Sequence, residues 1–395
     1  MISFDEAVAI AAGAAHPLGT ERVALHEAQG RVLREDVRAA VASPPGDVSA
    51  MDGYAVREAD LADFPLRLRV VGEAFAGAGA EVPLQSGTCI RIFTGAPVPP
   101  EADRVVIQEM VRRDGDMVAI EAHPGPARHI RKRGSDFGTG DLLVPAGRRL
   151  GYRELVAMAG GDHAEVAVAR RPRLSLLSTG DELVPPGTAA GAGEATPESV
   201  SYGVAALAET WGAVVGGRRR LRDDLPAMEE AAARAVRDAD LVVVTGGASV
   251  GEKDFAKAMF APLGLELLFA KVAIKPGKPV WLGRAGGRIV LGLPGNPTSA
   301  LVTARLFLTP LLAGMTGRDP AEALRWRTLP LAAPVGLVGD RETFARGVVA
   351  DGAVRILTNQ DSSAQKSLAD CDLLVRLVPG SAGIEAGHMV EVLDF

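Results

Sequence analysis

Three lysines, Lys271, Lys275 and Lys278, lie within eight residues, among Pro276, Gly277 and Pro279. Prolines restrict the backbone where helix formers would not, so the ammonium groups keep fixed directions. Close by in sequence, Asn296-Pro297-Thr298-Ser299 has the residue types of a helix start. Clustered cations beside a helix N-terminus suit phosphate, pyrophosphate or another tetrahedral oxyanion; a solvated basic face is the competing reading. A second set of groups is acidic. Asp181 and Glu182 follow Thr179, Asp223 and Asp224 follow the basic segment 218–222, and Asp254 follows a glycine-rich stretch. Carboxylates gathered at one sheet edge suit a hard cation such as Mg²⁺, which takes one or two carboxylates together with phosphate oxygens.

These groups need a scaffold that brings them together. Leu241-Val242-Val243-Val244 reads as a fully buried strand, and Thr245-Gly246-Gly247-Ala248-Ser249 as a small-residue turn after it. In open α/β sheets the ends of such strands are where ligands bind, and free backbone N–H groups there can hold an anion. A plain strand-to-helix turn is the alternative. Strands are expected at 174–177, 213–216, 241–244, 265–269, 280–283 and 288–291. Helices are expected at 201–211, at 226–237, from Asp254, and from Pro297, the last a long one with Asn296 as its N-cap. The alternation predicts a three-layer α/β domain with a mostly parallel sheet.

The flanks read differently. Ser3 and Glu6 fit a capping box ahead of an apolar face at Phe4, Ala7, Val8 and Ala11. A strand at 22–25 and a helix running through Val32 and Leu33 follow. Short strands at 66–72, 89–93, 104–108, 110–113 and 117–121 make a small β domain, with Asp114-Gly115 as a hairpin turn. The basic run 128–133 reads as a solvated loop or a phosphate-contacting rim. A helix at 152–159 and a strand at 164–169 precede the α/β region. Strands at 327–331, 342–349, 353–357, 373–377 and 389–393 form a C-terminal β domain.

Composition excludes several classes. With 395 residues and a net charge of −6, the chain lacks the basic footprint of a general nucleic-acid binder. Its two cysteines, Cys89 and Cys371, are too far apart in sequence for a metal cluster or a disulfide framework. No apolar run approaches the ~20 residues of a membrane span, and no basic-then-apolar leader opens the chain, so a cytoplasmic protein is expected. Neither G-x-x-x-x-G-K-[ST] nor G-x-G-x-x-G occurs.

Seven motifs in order carry a resemblance: Met51-Asp52-Gly53-Tyr54-Ala55, Phe93-Thr94-Gly95-Ala96-Pro97, Gly134-Ser135-Asp136, Ser178-Thr179-Gly180-Asp181-Glu182-Leu183, Gly246-Gly247-Ala248-Ser249-Val250-Gly251-Glu252, Ile274-Lys275-Pro276-Gly277-Lys278-Pro279 and Gly292-Leu293-Pro294-Gly295-Asn296-Pro297. Together they resemble the molybdopterin molybdenumtransferase family (MoeA and the gephyrin E domain) across essentially the whole chain. The resemblance implies a multidomain α/β and β protein: a discontinuous N-terminal domain at 1–52 and 134–171, a small β domain at 53–133, a molybdopterin-binding α/β domain at 172–318 and a C-terminal β domain at 319–395. It implies a homodimer, with the molybdopterin-adenylating protein and apo-molybdoenzymes as transient partners and with neither nucleic acid nor membrane.

The implied reaction inserts molybdenum from molybdate into adenylyl-molybdopterin and releases AMP, with Mg²⁺ present. By matching positions, Asp52, Thr94 and Asp136 are contributed by a second subunit. Glu182, Asp223 and Asp254 handle Mg²⁺ and the adenylylated substrate, with Asp223 and Asp254 as the metal ligands. Lys271, Lys275 and Lys278 hold phosphate or molybdate, and Thr179, Gly246, Gly247 and Ser249 form the floor. Pro294, Pro297 and Ser299 shape the turn, and Arg346 and Ser367 reach the oxyanion from the last domain. Glu198-Ser199-Val200 stands where the family usually has Asp-Ser-Asn, and Gln365 stands where an apolar residue is usual. The alternatives are adenylyl transfer to molybdopterin, which the α/β domain alone resembles, and a non-catalytic molybdopterin-binding or delivery protein.

Overall fold

A computed structural model describes residues 1–191, 193–246 and 255–395. The chain forms two compact units: Met1–Glu21, Gly30–Arg34 and Ala167–Phe395 make the first, and Arg22–Gln29 with Glu35–Val166 the second.

The first unit is built on a six-stranded sheet in the order Val214–Leu221, Arg173–Thr179, Leu241–Thr245, Arg288–Leu293, Trp281–Ala285, Glu266–Phe269. The first four strands are mutually parallel, and the last two join antiparallel. All five residues of the central strand are buried, and the strand pleat sorts them between two layers. Leu241 and Val243 pack with Val204, Leu311 and Leu312 on one face. Val242 and Val244 pack with Met228, Ala232 and Phe260 on the other. The helices Val200–Thr210 and Leu225–Asp238 supply these two outer layers, Asp224 capping the second through Ala227 N.

The N-terminal helix Phe4–Ala14 starts at the expected capping box: Glu6 N donates to Ser3 Oγ at 3.2 Å and Ser3 N to Glu6 Oε2 at 2.8 Å. Phe4 anchors it edge-on to Phe344 and Phe307, with ring centroids 4.8 and 6.0 Å away. Burying a side chain of this size contributes about 2–3 kcal/mol.

A second six-stranded sheet in this unit contains the C-terminal strands Glu342–Ala350, Leu373–Leu377, Met389–Asp394 and Arg327–Pro330, with Ala353–Ile356 pairing to the first of them. Its edge is Ile274–Lys275, parallel to Glu342 and Thr343.

The second unit holds a six-stranded sheet in the order Arg104–Ile107, Gly53–Val56, Thr88–Ile92, Leu66–Ala74, Met117–Ile120, Val111–Asp114. Two short ladders pair Ile130–Arg131 with Val48–Ser49 and Leu142–Val144 with Val37–Arg38. The basic run is therefore partly a strand, and Lys132 is salt-bridged to Asp47 at 2.6 Å.

Three expectations need correction. The helix through Val32 and Leu33 is absent: a short 3₁₀ turn, Leu25–Glu27, is all that forms. Residues 32–34 instead bond across to 167–169, with Ala169 N donating to Val32 O and Arg34 N to Ala167 O, so strand-like partners override the local pattern. Asn296 occupies the N-cap position without capping, because its amide donates to Ser362 Oγ at 2.9 Å. Finally, one helical run, Pro297–Met315, has a membrane span's length and mean hydropathy, yet 94% of its most apolar 18-residue window is buried inside the fold, where it serves as the core helix.

Candidate active site

The parallel strands Arg173–Thr179, Leu241–Thr245 and Arg288–Leu293 end at the same sheet edge, and a cavity of about 700 Å³ opens there. Thr179 and Gly180 enter it from the first strand, Thr245 and Gly246 from the second, and Pro294, Gly295, Asn296 and Pro297 from the turn after the third. Gly246 has φ +90°, and a Cβ there would lie 2.4 Å from the Thr179 carbonyl oxygen, so only glycine lets these two strand ends meet. Gly180, at φ +144°, leaves room for the Glu182 carboxylate, whose Oε2 would stand 2.6 Å from an added Cβ. Ser363 and Gln365 close another side of the cavity from the C-terminal sheet region. Asp361 holds that segment, its Oδ1 accepting from Ser363 N at 2.7 Å and Ser363 Oγ at 2.6 Å.

The described lining of the cavity is acidic. Glu182, Glu198 and Asp223 line it, and among the described residues no lysine, arginine or histidine does. Asp223 is positioned by its own backbone N–H, which donates to Asp181 Oδ1 at 3.2 Å. Glu198 belongs to a buried chain of polar groups: Thr245 Oγ1 donates to Ser178 Oγ at 3.2 Å, and Ser178 Oγ to Glu198 Oε1 at 3.3 Å. Ser201 completes it through its backbone N–H to Oε1 at 2.8 Å and its hydroxyl to Oε2 at 2.6 Å.

Asp52 and Thr94 form one constellation in the second unit, where Thr94 N and Thr94 Oγ1 both donate to Asp52 Oδ1 at 2.8 Å. The backbone N–H, then the hydroxyl, hold the Asp52 carboxyl below its ordinary range, and nearby Arg91 adds to this. Asp136 is exposed in the same unit, with its backbone N–H on Ser43 O.

Three stretches of the chain match known domains. Residues 2–160 match the MoeA N-terminal region (domains I and II), 175–314 a probable molybdopterin binding domain, and 328–395 the MoeA C-terminal region (domain IV). The molybdopterin molybdenumtransferase of Haemophilus influenzae is 36% identical over 331 residues, covering 84% of this chain and 80% of that protein. Molybdopterin molybdenumtransferase 2 of Mycobacterium tuberculosis H37Rv is 34% identical over 388 residues, 94% of each. The chain belongs to the molybdopterin molybdenumtransferase family. The crystal structure of the molybdopterin biosynthesis moeA protein from Pyrococcus horikoshii OT3 superposes with a TM-score of 0.85 at 26% identity, covering 100% of both chains.

Of the residues that the resemblance to molybdopterin molybdenumtransferases implied, Thr179, Glu182, Asp223, Gly246, Pro294 and Pro297 line the one cavity. Gly247, Ser249 and Asp254 lie outside the described residues. Lys271, Lys275 and Lys278 are exposed and do not line it, although Pro279 does. Lys275 borders a separate cavity of about 200 Å³ with Asp340, Arg341 and Thr343, because its short strand joins the C-terminal sheet. Ser299 is buried within the helix behind Pro297, and Ser367 is buried on the helix Gln365–Ala369. Arg346 is 1% exposed and does not line the cavity. Its guanidinium donates to Thr298 Oγ1 at 2.9 Å and Asn359 O at 3.1 Å, and burial lowers its pKa.

Sequence reading did not pick out Glu198, Thr196, Ser363 or Gln365 as lining residues. Glu198 carried a local signal, an acid just before the helix Val200–Thr210, where carboxylates are favoured. Gln365 stood out only as a departure from the family pattern and Ser363 not at all, since only the packing of the C-terminal sheet region brings them there.

Proposed function

We propose that this chain inserts molybdenum from molybdate into adenylyl-molybdopterin, releasing AMP and yielding molybdenum cofactor. The observation that carries this reading is the cavity at the ends of the parallel strands. It has a floor of Thr179, Thr245 and Gly246 and a rim of hard carboxylate oxygens from Glu182 and Asp223. Such a rim fits Mg²⁺, which is commonly held by one or two carboxylates and substrate phosphates; among the described residues no group of three His, Cys, Asp or Glu forms a complete protein cage. Glu182 and Asp223 would hold the ion, which when bound neutralises charge on the phosphate oxygens as AMP departs. Thr179 and the Gly246 backbone contact the nucleotide-side phosphate, and Pro294 and Pro297 fix the shape of the opposite wall. Asp254 is proposed as a further Mg²⁺ ligand, with Gly247 and Ser249 beside Gly246.

Lys271, Lys275 and Lys278 are proposed to draw molybdate, with Arg346, Ser367 and Ser299 behind them. Asp52, Thr94 and Asp136 are proposed to act on the cavity of a second copy in a homodimer. The proposal extends to the four-domain division, to a cytoplasmic setting, and to transient contact with the molybdopterin-adenylating protein and apo-molybdoenzymes.

The deciding experiment incubates the purified chain with adenylyl-molybdopterin, molybdate and Mg²⁺, then follows AMP release and reconstitution of an apo-molybdoenzyme. AMP release that needs both molybdate and Mg²⁺ is expected, with Asp223→Asn slowing it by roughly 10²-fold. Formation of adenylyl-molybdopterin from molybdopterin and Mg-ATP would instead identify an adenylyltransferase.

A further inference from the structure

The edge strand Val214–Leu221 carries three successive arginines, Arg218, Arg219 and Arg220, all exposed. Among the described residues none of the three forms a salt bridge, whereas other arginines of the unit are paired: Arg170 with Asp240 at 3.0 Å and Arg318 with Glu322 at 2.8 Å. Asp238 interacts electrostatically with Arg219, but adjacent guanidinium groups repel one another, so Arg218 and Arg220, without a salt bridge among the described residues, favour an anion.

The row borders a cavity of about 220 Å³ whose other walls include Ser178, Pro185 and Tyr202. Arg218 and Arg220 stand two apart on the strand and therefore share a face. Both are held in place. The Arg218 guanidinium carbon lies 4.0 Å from the centre of the Tyr202 ring, and an Arg220 Nη1–H donates to the Leu183 carbonyl. Neither contact uses up the guanidinium's donors, of which arginine has five. Among the described lining residues Glu198 is the one carboxylate, and both its oxygens already accept from Ser178 and Ser201. Glu198 also lines the large cavity, so the two openings adjoin. Their described linings differ in charge: Glu182, Glu198 and Asp223 in one, three arginines with Glu198 in the other.

We infer that the arginine-lined cavity is a second anion subsite, which binds a phosphate-bearing small molecule through Arg218 and Arg220. Tyr202 steadies the Arg218 guanidinium on the strand face that Arg220 shares. The site does not depend on the reaction proposed above.

The test is calorimetric titration of inorganic pyrophosphate into the full chain at low ionic strength without Mg²⁺. Wild type is expected to bind it, and R218A/R220A to bind at least about tenfold more weakly, losing two charge-assisted contacts. R218K/R220K should fall between them, since lysine keeps the charge without the planar fork. Asp223→Ala, in the large cavity, should retain the affinity within about twofold, as an independent site does. Circular dichroism checks that each variant is folded. Equal affinity of wild type and R218A/R220A, or no binding by wild type, overturns the inference. So does clearly tighter binding in Asp223→Ala, the result expected if the anion sat beside that carboxylate in the large cavity. Tighter, arginine-dependent binding of polyglutamate than of pyrophosphate would likewise overturn it, in favour of a surface for an acidic protein. Failure of AMP release leaves all these outcomes readable.

Discussion

The Ser201 hydroxyl donates to Glu198 Oε2 at 2.6 Å, and both residues are more than nine-tenths buried beside the large cavity. A carboxylate so placed is tolerable because Ser201 N, Ser201 Oγ and Ser178 Oγ all donate to it. Ser201→Ala removes one donor and leaves a buried oxygen short of a partner, which should cost about 1–3 kcal/mol. Urea denaturation of the pure variant measures this; coincident unfolding curves would mean that water replaces the hydroxyl.

Gly246 is expected to tolerate no side chain. Alanine there must adopt φ near +90° and approach the Thr179 carbonyl to 2.4 Å unless the strand ends separate. The strain amounts to about 1–3 kcal/mol, and separating the strand ends distorts the cavity floor. Gly246→Ala should lower the melting temperature and depress AMP release together. A variant of wild-type stability that still loses AMP release would show that the floor itself contacts substrate.

The Asp52–Thr94 pair should leave a signature in acid. The backbone N–H and hydroxyl of Thr94 hold the Asp52 carboxyl below 3.8, so the folded state favours the carboxylate. The sign follows: a depressed folded-state pKa contributes stability above the unfolded value, and that contribution is lost as pH falls through the folded one. Thr94→Val removes the hydroxyl donor. Its destabilisation relative to wild type should be constant from pH 7 to pH 5 and shrink below pH 3.8. Denaturant midpoints along that series test it; a gap that widens in acid would contradict the pairing.

Arg346 is expected to be a structural tie for the cavity wall. It joins Thr298, at the start of the core helix, to Asn359 and Gln360, which lead into Ser363. Arg346→Lys cannot reproduce that fork and should cost roughly 2–3 kcal/mol, the scale of a hydrogen bond to a charged group. Hydrogen exchange over residues 359–365 should accelerate selectively. Unchanged exchange there, alongside weakened molybdate binding, would return Arg346 to an oxyanion role.

Several elements were legible from local spacing. The capping box at Ser3 and Glu6, the buried run 241–244, the helix after Asp224 and the C-terminal strands all appear close to their expected positions. Errors arose where a distant partner outweighs local preference. Val32 and Leu33 have helix-compatible neighbours, yet bonds to residues 167–169 draw them into extended pairing. The lysine segment looked like an independent stiff loop, yet Ile274 and Lys275 add a strand to the C-terminal sheet. Asn296 has a capping side chain, yet Ser362, 66 residues later, takes its amide.

What the sequence determined by itself is the set of strand-end turns and the family, because both rest on short runs of residues whose types and order act locally. Thr179, Glu182, Asp223 and Gly246 lie at or just past strand ends, and parallel pairing then places them at one edge. Only the tertiary structure decided the walls. The chain must close long loops before Ser363 and Gln365 meet Pro297, before Arg346 is buried on Thr298, and before Glu198 finds Ser178. Those contacts join residues tens of positions apart, and their stability comes from packing and shared hydrogen bonds that no local spacing encodes. The charge contrast between the carboxylate-lined cavity and the arginine-lined one is of the same kind. The residues are visible in sequence, and the wall that they share through Glu198 exists only in the fold.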